Sequence, residues 1–560
     1  MTSEERGAGG LSRRGMLGTG AAALAGAGLA AAPAHGALAG DAAPAGAGGV
    51  TAGEPGDLAL VNGRIITQDP RHPTATDVLI RAGRFAEVGR GLRPRGRQVR
   101  VIDLRGHTVV PGIIDNHNHI VLMGLRPGYH TPLENASSIG AALATLKARA
   151  AGVPAGRFVT TIGGFHPNQF AERRLPTLAE IDAAVPARPV YIQVAFSGPA
   201  TTNGLGRAFF RSKGVPVGDD GAIAMGEAAQ TALFELRRGQ TLDDQKRSTL
   251  DAMAYAVSLG VTTHFDQGGF PATNTPADGA AHFDQYRAYD AFQALHREGR
   301  LSIRLRTNFL HLESDPALPG LTARLLNTFP LFGDDMMKVV GIGEFTAQGL
   351  GDVWLDANRR VAEAGFINQV HSLTRDDFKT EIAGWETVNA KFPIKDLRWV
   401  VAHVPFITDE WIRRLKALGG GLSLTSWRYL TGTATDNGPP FRTIVDSGIN
   451  VGMSSDGMQI APMNPWLHMY YAATGKNAKG ELINDGQQIT RDEVLRLYTA
   501  DNGWFTKEED VTGSIEPGKF GDLVVLSHDY RRLPDEGLKA LRSVLTVVNG
   551  RIVHRAGPFR

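Results

Sequence analysis

Eight short apolar segments, with helical periodicity between them, dominate the middle of this 560-residue chain. They span residues 109–119, 260–266, 302–310, 337–345, 367–371, 397–403, 421–425 and 449–456. Helical stretches such as 353–364 and 409–418 occupy the gaps. Strands alternating with helices imply βα units and a parallel sheet covered on both faces. Eight such units close into a barrel. The expected fold class is therefore α/β, a (β/α)8 TIM-type barrel over residues 109–510. Residues 130–250 then form a long insertion after the first barrel strand, expected as a lid or subdomain over the mouth.

Both flanks of the barrel read as β-sheet. Residues 57–108 and 511–560 carry short apolar runs separated by turn dipeptides such as Asn62-Gly63, Ala82-Gly83 and Asn549-Gly550. A Val-Asn-Gly-Arg-Ile segment occurs once in each flank, at Val61 and at Val548. The two ends are expected to share one small composite β-sandwich. Upstream, residues 38–56 are rich in Ala, Gly and Pro and read as a flexible linker. Residues 1–37 pair Arg13-Arg14 with a short, mildly apolar run and small-residue cleavage sites. That is the layout of a signal peptide, and the paired arginines resemble a twin-arginine signal. Export across the cytoplasmic membrane is expected, to the periplasm or beyond, with no membrane segment in the mature form.

Composition removes several function classes. The chain has no cysteine, so thiol catalysis, Cys-ligated zinc and disulfides are excluded. Lys plus Arg number 59 against 57 Asp plus Glu, a net +2 that gives no reason to expect nucleic acid as partner. The Arg-rich stretch Arg90 to Arg105 reads as a solvated loop and strand edge. A small-molecule substrate is the expected partner, and a homo-oligomer is compatible with the sequence.

The strongest chemical signal is Pro111-Gly-Ile-Ile-Asp-Asn-His117-Asn-His119. Residues i and i+2 of a strand point to one side, so both imidazoles face the same way where the first barrel strand ends. Barrels hold their sites at that C-terminal end. Two imidazoles a few ångströms apart suit a divalent ion, zinc first among them, as one or two ions.

These residues resemble the amidohydrolase superfamily, whose signature is Pro-Gly-Ile-Ile-Asp-x-His-x-His. Gly513-Ser-Ile-Glu-Pro-Gly-Lys-Phe-Gly-Asp-Leu-Val-Val-Leu526 is similar to the segment that closes that superfamily's sandwich. Gly260-Val-Thr-Thr263, Ser455-Asp456 and the long insertion look like the subgroup that includes N-substituted formamide deformylase. The resemblance covers roughly residues 57–556. It implies further metal ligands at the ends of strands 5, 6 and 8, which here are His371, His403 and Asp456. Each stands where an apolar segment stops.

Strand 4 offers Lys338 near its start and Glu344 at its end. Relatives often place a carboxylated lysine on this strand. Six residues of strand span roughly 20 Å, so both cannot reach one ion. Glu344 is the better placed, since the other ligands also sit at strand ends; a strand that contributes no ligand is the third option. The resemblance implies hydrolysis of a non-peptide carbon–nitrogen bond by metal-activated water, with Asp456 as general base. A deaminase is the first rival, but Ser372-Leu373-Thr374 after His371 lacks the acid such enzymes carry three residues on. The second rival is a metal-binding receptor or regulatory protein without turnover. It draws on Pro199, which stands where the subgroup has a histidine in the run ending at Asn203. His166, Asn203, His264 and Trp427 are the candidate substrate-binding residues.

Overall fold

A computed structural model describes residues 57–93, 98–270 and 286–560. The expected signal peptide and linker lie outside the described residues. Eight parallel strands form one sheet in sequence order. They are β1 Ile113–Asn118, β2 Val261–Asp266, β3 Arg304–Phe309, β4 Met337–Glu344, β5 Ile367–Ser372, β6 Val400–His403, β7 Gly421–Thr425 and β8 Asn450–Ser454. Helices such as Asp352–Glu363, Asp377–Asn389 and Asp409–Ala417 follow successive strands. Trp354, Ile382 and Ile412 from these helices share a buried core with Ile342, Val370 and Val401 of the strands. The expected TIM-type barrel is thus the fold.

Side chains stitch β8 back to β1. Asn502 Nδ2 donates to the carbonyls of Ile114 (2.6 Å) and Met453 (2.9 Å), while its oxygen accepts from Asn116 Nδ2 at 2.7 Å. The Asp456 amide donates to the His117 carbonyl at 2.8 Å. The metal-site segments at the two ends of the barrel sequence therefore meet at this seam.

The first apolar segment is not one strand. Thr108–Pro111 belongs to a six-stranded sheet, pairing antiparallel with Leu523–Leu526, and β1 begins only at Ile113. Gly112 is the corner, where an added Cβ would meet Thr262 Oγ1 at 2.1 Å. The six-stranded sheet and a four-stranded sheet around Leu58–Val61 share one core, in which Leu60, Ile65 and Val78 pack with Leu523, Val525 and Val547. Residues from both flanks thus bury one another.

The insertion has its own sheet, in the order Ala222–Ile223, Ala200–Thr202, Val190–Gln193, Val159–Ile162, Tyr129–His130. Its boundary differs from the expected 250. Helix Leu242–Leu259 is a single element, opened by a Thr241/Asp244 capping box and closed by Gly260 at φ 91°. Ala252, Ala256 and Val257 bury into the barrel core, so this helix belongs to the barrel.

Candidate metal centre

Strand register brings the ligands together. Glu344 pairs with Val370, one residue before His371, and His371 pairs with Ala402, one residue before His403. Each ligand is thus one step farther along than its neighbour's partner, which keeps them abreast as the strands stagger round a barrel. Gly343 lets Glu344 sit there: its φ is +146°, and an added Cβ would meet the Gln369 carbonyl at 2.2 Å.

Two donor groups share Glu344. His117 Nε2 lies 3.2 Å from Glu344 Oε2, and His119 Nε2 lies 3.3 Å from Oε1. On the other side, Oε2 is 2.8 Å from His371 Nδ1 and 3.6 Å from His403 Nε2. Asp456 Oδ1 completes the first group, 3.5 Å from His119 Nε2 and 3.8 Å from His117 Nε2. His117, His119, Glu344, His403 and Asp456 are buried, while the His371 side chain is 20% exposed. The approach from solvent is therefore on the His371 side.

This arrangement fits a divalent cation. Two donors at about 2.1 Å from one tetrahedral ion lie roughly 3.4 Å apart, in the range of the separations just given. His117 Nε2 is buried among these groups without a hydrogen bond of its own. The opposite ring nitrogens are held: His117 Nδ1 by Gln369 Oε1 (3.2 Å), His119 Nδ1 by the Gly268 carbonyl (2.9 Å), His403 Nδ1 by Thr425 Oγ1 (2.9 Å). Such partners fix the tautomer and aim the free nitrogen at a metal. Asp266 supports the second of them, accepting from the amides of Gly268 (2.8 Å) and Val121 (2.9 Å) and from Tyr289 (2.7 Å).

Electrostatics agree. Burial pushes the Glu344 carboxyl up, but His371 and His119 outweigh it and hold it well below the usual range. Burial likewise opposes Asp456, and His403 with His119 and His117 holds it down. Both carboxylates are thus ionised. Burial lowers His403 to about 4, leaving it the neutral form that ligates. For His119, burial is overcome by Glu344 and Asp456, and the ring is raised well above its ordinary value. A cation entering the site displaces such protons. Lys338 takes no part, since its Nζ is 2.8 Å from Glu508 Oε1.

A family model described as the amidohydrolase family matches residues 100–554. This chain belongs to that family. As an amidohydrolase it is a hydrolase acting on carbon–nitrogen bonds other than peptide bonds. It is 24% identical to the N-substituted formamide deformylase of Arthrobacter pascens over 546 residues, covering 88% of this chain and 97% of that protein. Among solved structures it resembles an uncharacterised metal-dependent hydrolase from Pyrococcus horikoshii, with TM-score 0.58 and 19% identity over 86% of this chain and 99% of that one. It also resembles a variant of atrazine chlorohydrolase from Arthrobacter aurescens TC1 solved with zinc and atraton, with TM-score 0.53 and 17% identity over 89% and 95% of the two chains.

Four further residues were expected at the substrate, namely His166, Asn203, His264 and Trp427. Asn203 is a correction. It caps helix Gly204–Ser212, its oxygen accepts from the amides of Gly206 and Val190 (3.0 Å each), and its nitrogen donates to the carbonyls of Val185 (3.1 Å) and Arg188 (2.9 Å). No amide valence remains for substrate. His166 Nδ1 accepts from the Asn168 amide at 3.1 Å, capping the turn Pro167–Gln169. Its loop packs on the segment after Asp456 through the Gly164 amide and the Gln459 carbonyl, 3.1 Å apart. His264 is fully buried in β2 with both ring nitrogens unpartnered, and burial lowers it to about 3, so it is a neutral interior ring. Trp427 follows β7, half-buried, with the Arg428 guanidinium 3.7 Å above its ring.

Sequence reasoning missed Gln369, Thr425 and three aromatic rings. Gln369 had a signal, standing two residues before His371 on one strand and hence on its side. The rings are Phe270, 5.5 Å from His119; Phe345, 5.2 Å from His371; and Phe196, 5.5 Å from Phe270.

Proposed function

We propose that this amidohydrolase cleaves the carbon–nitrogen bond of a small-molecule amide, with Asp456 as the proton-transfer group. The observation that carries the reading is Glu344, whose Oε1 faces His119 while its Oε2 lies between His117 and His371. A carboxylate shared in this way suits two ions, and zinc matches the nitrogen-rich donor set. His117, His119 and Glu344 would hold one ion, with Asp456 beside them; Glu344, His371 and His403 would hold the other. A bound divalent ion polarises a carbonyl and lowers the pKa of water toward about 7.

The chain's own residues supply the rest. Asp456 is ionised and sits against His119 and His117, where it takes a proton from the attacking water. It returns that proton to the leaving nitrogen, so that amide and water become carboxylic acid and amine. Asp456 adopts φ 52°, a left-handed conformation that aspartate tolerates better than most residues. Its amide is anchored on the His117 carbonyl at 2.8 Å. The likeness to N-substituted formamide deformylase supports small N-substituted amides as substrates. We also propose that the chain is exported through its Arg13-Arg14 segment.

The test is Asp456→Asn. Its metal content should match wild type while kcat on a responsive N-acyl amine falls roughly 10²–10⁴-fold. Turnover at the wild-type rate would remove Asp456 from this role. A metal-replete wild type that hydrolyses no N-formyl or N-acyl amine would count against the amide reading.

A further inference from the structure

Phe196, Phe270 and Phe345 come from three separate parts of the chain and meet beside the metal ligands. Phe270 follows β2, Phe345 follows β4, and Phe196 lies in the insertion. The Phe270 ring is 5.5 Å from Phe196 and 6.1 Å from Phe345, both edge to face. Phe270 tilts over His119 and Phe345 over His371, so the rings span both donor groups. All three are only half-buried, whereas His117, Glu344 and His403 behind them are buried. Open apolar surface thus lies directly against a polar, charged centre. Among the described residues, the cations that stack on phenylalanine do so elsewhere, on Phe209, Phe234, Phe309, Phe392, Phe406 and Phe520.

Phe196 is held in place by a tight loop. Gln193 Nε2, itself buried, donates to the carbonyls of Ala195 (3.0 Å) and Phe196 (2.9 Å). Val194 and Pro199 close the loop, the Val194 amide donating to the Pro199 carbonyl at 3.0 Å. The Gly226 amide donates to the Ser197 carbonyl at 2.7 Å. Pro199 is exposed, so the insertion reaches the ligand face through Phe196 rather than through that position.

We propose that these rings form an aromatic cleft that receives an uncharged, apolar N-substituent of the substrate, and that Phe196 sets this specificity. The inference rests on the amide-hydrolase reading above. A carboxylate on the substituent would have to shed water against the rings beside the ionised Glu344, and a primary ammonium would give up its hydration for phenylalanine faces that return only part of it. An alkyl or aryl group gains by leaving water there.

The experiment compares N-hexylformamide and N-(2-phenylethyl)formamide with N-(2-aminoethyl)formamide and N-formylglycine on metal-replete protein. The apolar pair should be favoured in kcat/KM by roughly 100-fold or more. Phe196→Ala should cut that preference by roughly tenfold with metal content unchanged, and Phe196→Leu should restore most of it. A charged substituent turned over as well as hexyl, or a preference untouched by Phe196→Ala, overturns the proposal. Calorimetric binding of the four formamides to Asp456→Asn separates the two readings. Apolar selectivity in binding, without wild-type turnover, sinks the hydrolase reading and leaves the cleft standing. Binding without apolar selectivity sinks the cleft, whatever the turnover.

Discussion

Glu344 Oε2 lies 2.8 Å from His371 Nδ1 on β5, while its other oxygen lies 3.3 Å from His119 Nε2 beyond β1. One side chain therefore joins opposite sides of the barrel mouth. Glu344→Ala removes an oxygen donor from both groups at once. Metal content, read by elemental analysis after dialysis, should fall at both proposed ion positions together. The affinity loss should exceed the roughly 10–100-fold that follows loss of an outer-shell partner. Full retention of two equivalents would show that Glu344 bridges nothing.

The seam of the barrel makes a stability prediction. Asn502 is buried and serves three partners, the carbonyls of Ile114 and Met453 and the amide of Asn116. Asn502→Ala leaves those groups unpaired in the interior, each at a cost of about 1–3 kcal/mol when unrelieved. A loss of about 3 kcal/mol or more is expected in urea unfolding, with the m-value kept. A change under about 0.5 kcal/mol would mean that the seam closes without it.

Several of these features were legible beforehand, for identifiable reasons. The i, i+2 rule places His117 and His119 on one side of a strand, and both Nε2 atoms do reach Glu344. Strand length alone separated Lys338 from Glu344. The corner at Gly112 was hidden because Pro111-Gly112 joins two strands with no intervening loop, so apolar continuity masked a change of sheet. Asn203 was misjudged although its signal was present: Asn followed by Gly-Leu-Gly opens a helix, and a capping Asn spends its oxygen on that helix. Phe196 had no signal, since a phenylalanine in a loop says nothing of which ring it meets 74 residues away.

Glu134 ties the insertion to the segment that follows Asp456. Its carboxyl accepts from Tyr255 Oη and, at 2.7 Å, from the Met463 amide. Burial raises it from 4.5 to about 7, with the bonds from Tyr255 and Met463 opposing. A carboxyl raised in the fold favours the protonated native state. Its stabilising contribution is complete below the unfolded value of 4.5 and is lost as pH rises through about 7. Glu134→Gln mimics the neutral form at every pH. Wild type should therefore lose about 3 kcal/mol relative to the variant across that window. Denaturation midpoints measured at closely spaced pH values test this, and parallel curves for the two proteins would refute it.

The proposed export rests on residues outside the described structure. Arg13-Arg14 precede a run that is mildly apolar and rich in Gly and Ala, a weak signal for the general secretory route but a suitable one for twin-arginine export. That route carries folded proteins, which suits a chain whose ligands come from β1, β4, β5, β6 and the end of β8. His117 and Asp456 are 339 positions apart, and a site so assembled exists only after the barrel has closed. Arg13→Lys combined with Arg14→Lys should leave the full-length chain in the cytoplasm, with fold and metal content intact. Cell fractionation followed by mass determination of the N-terminus decides it. An exported, processed double variant would exclude the paired arginines as the address.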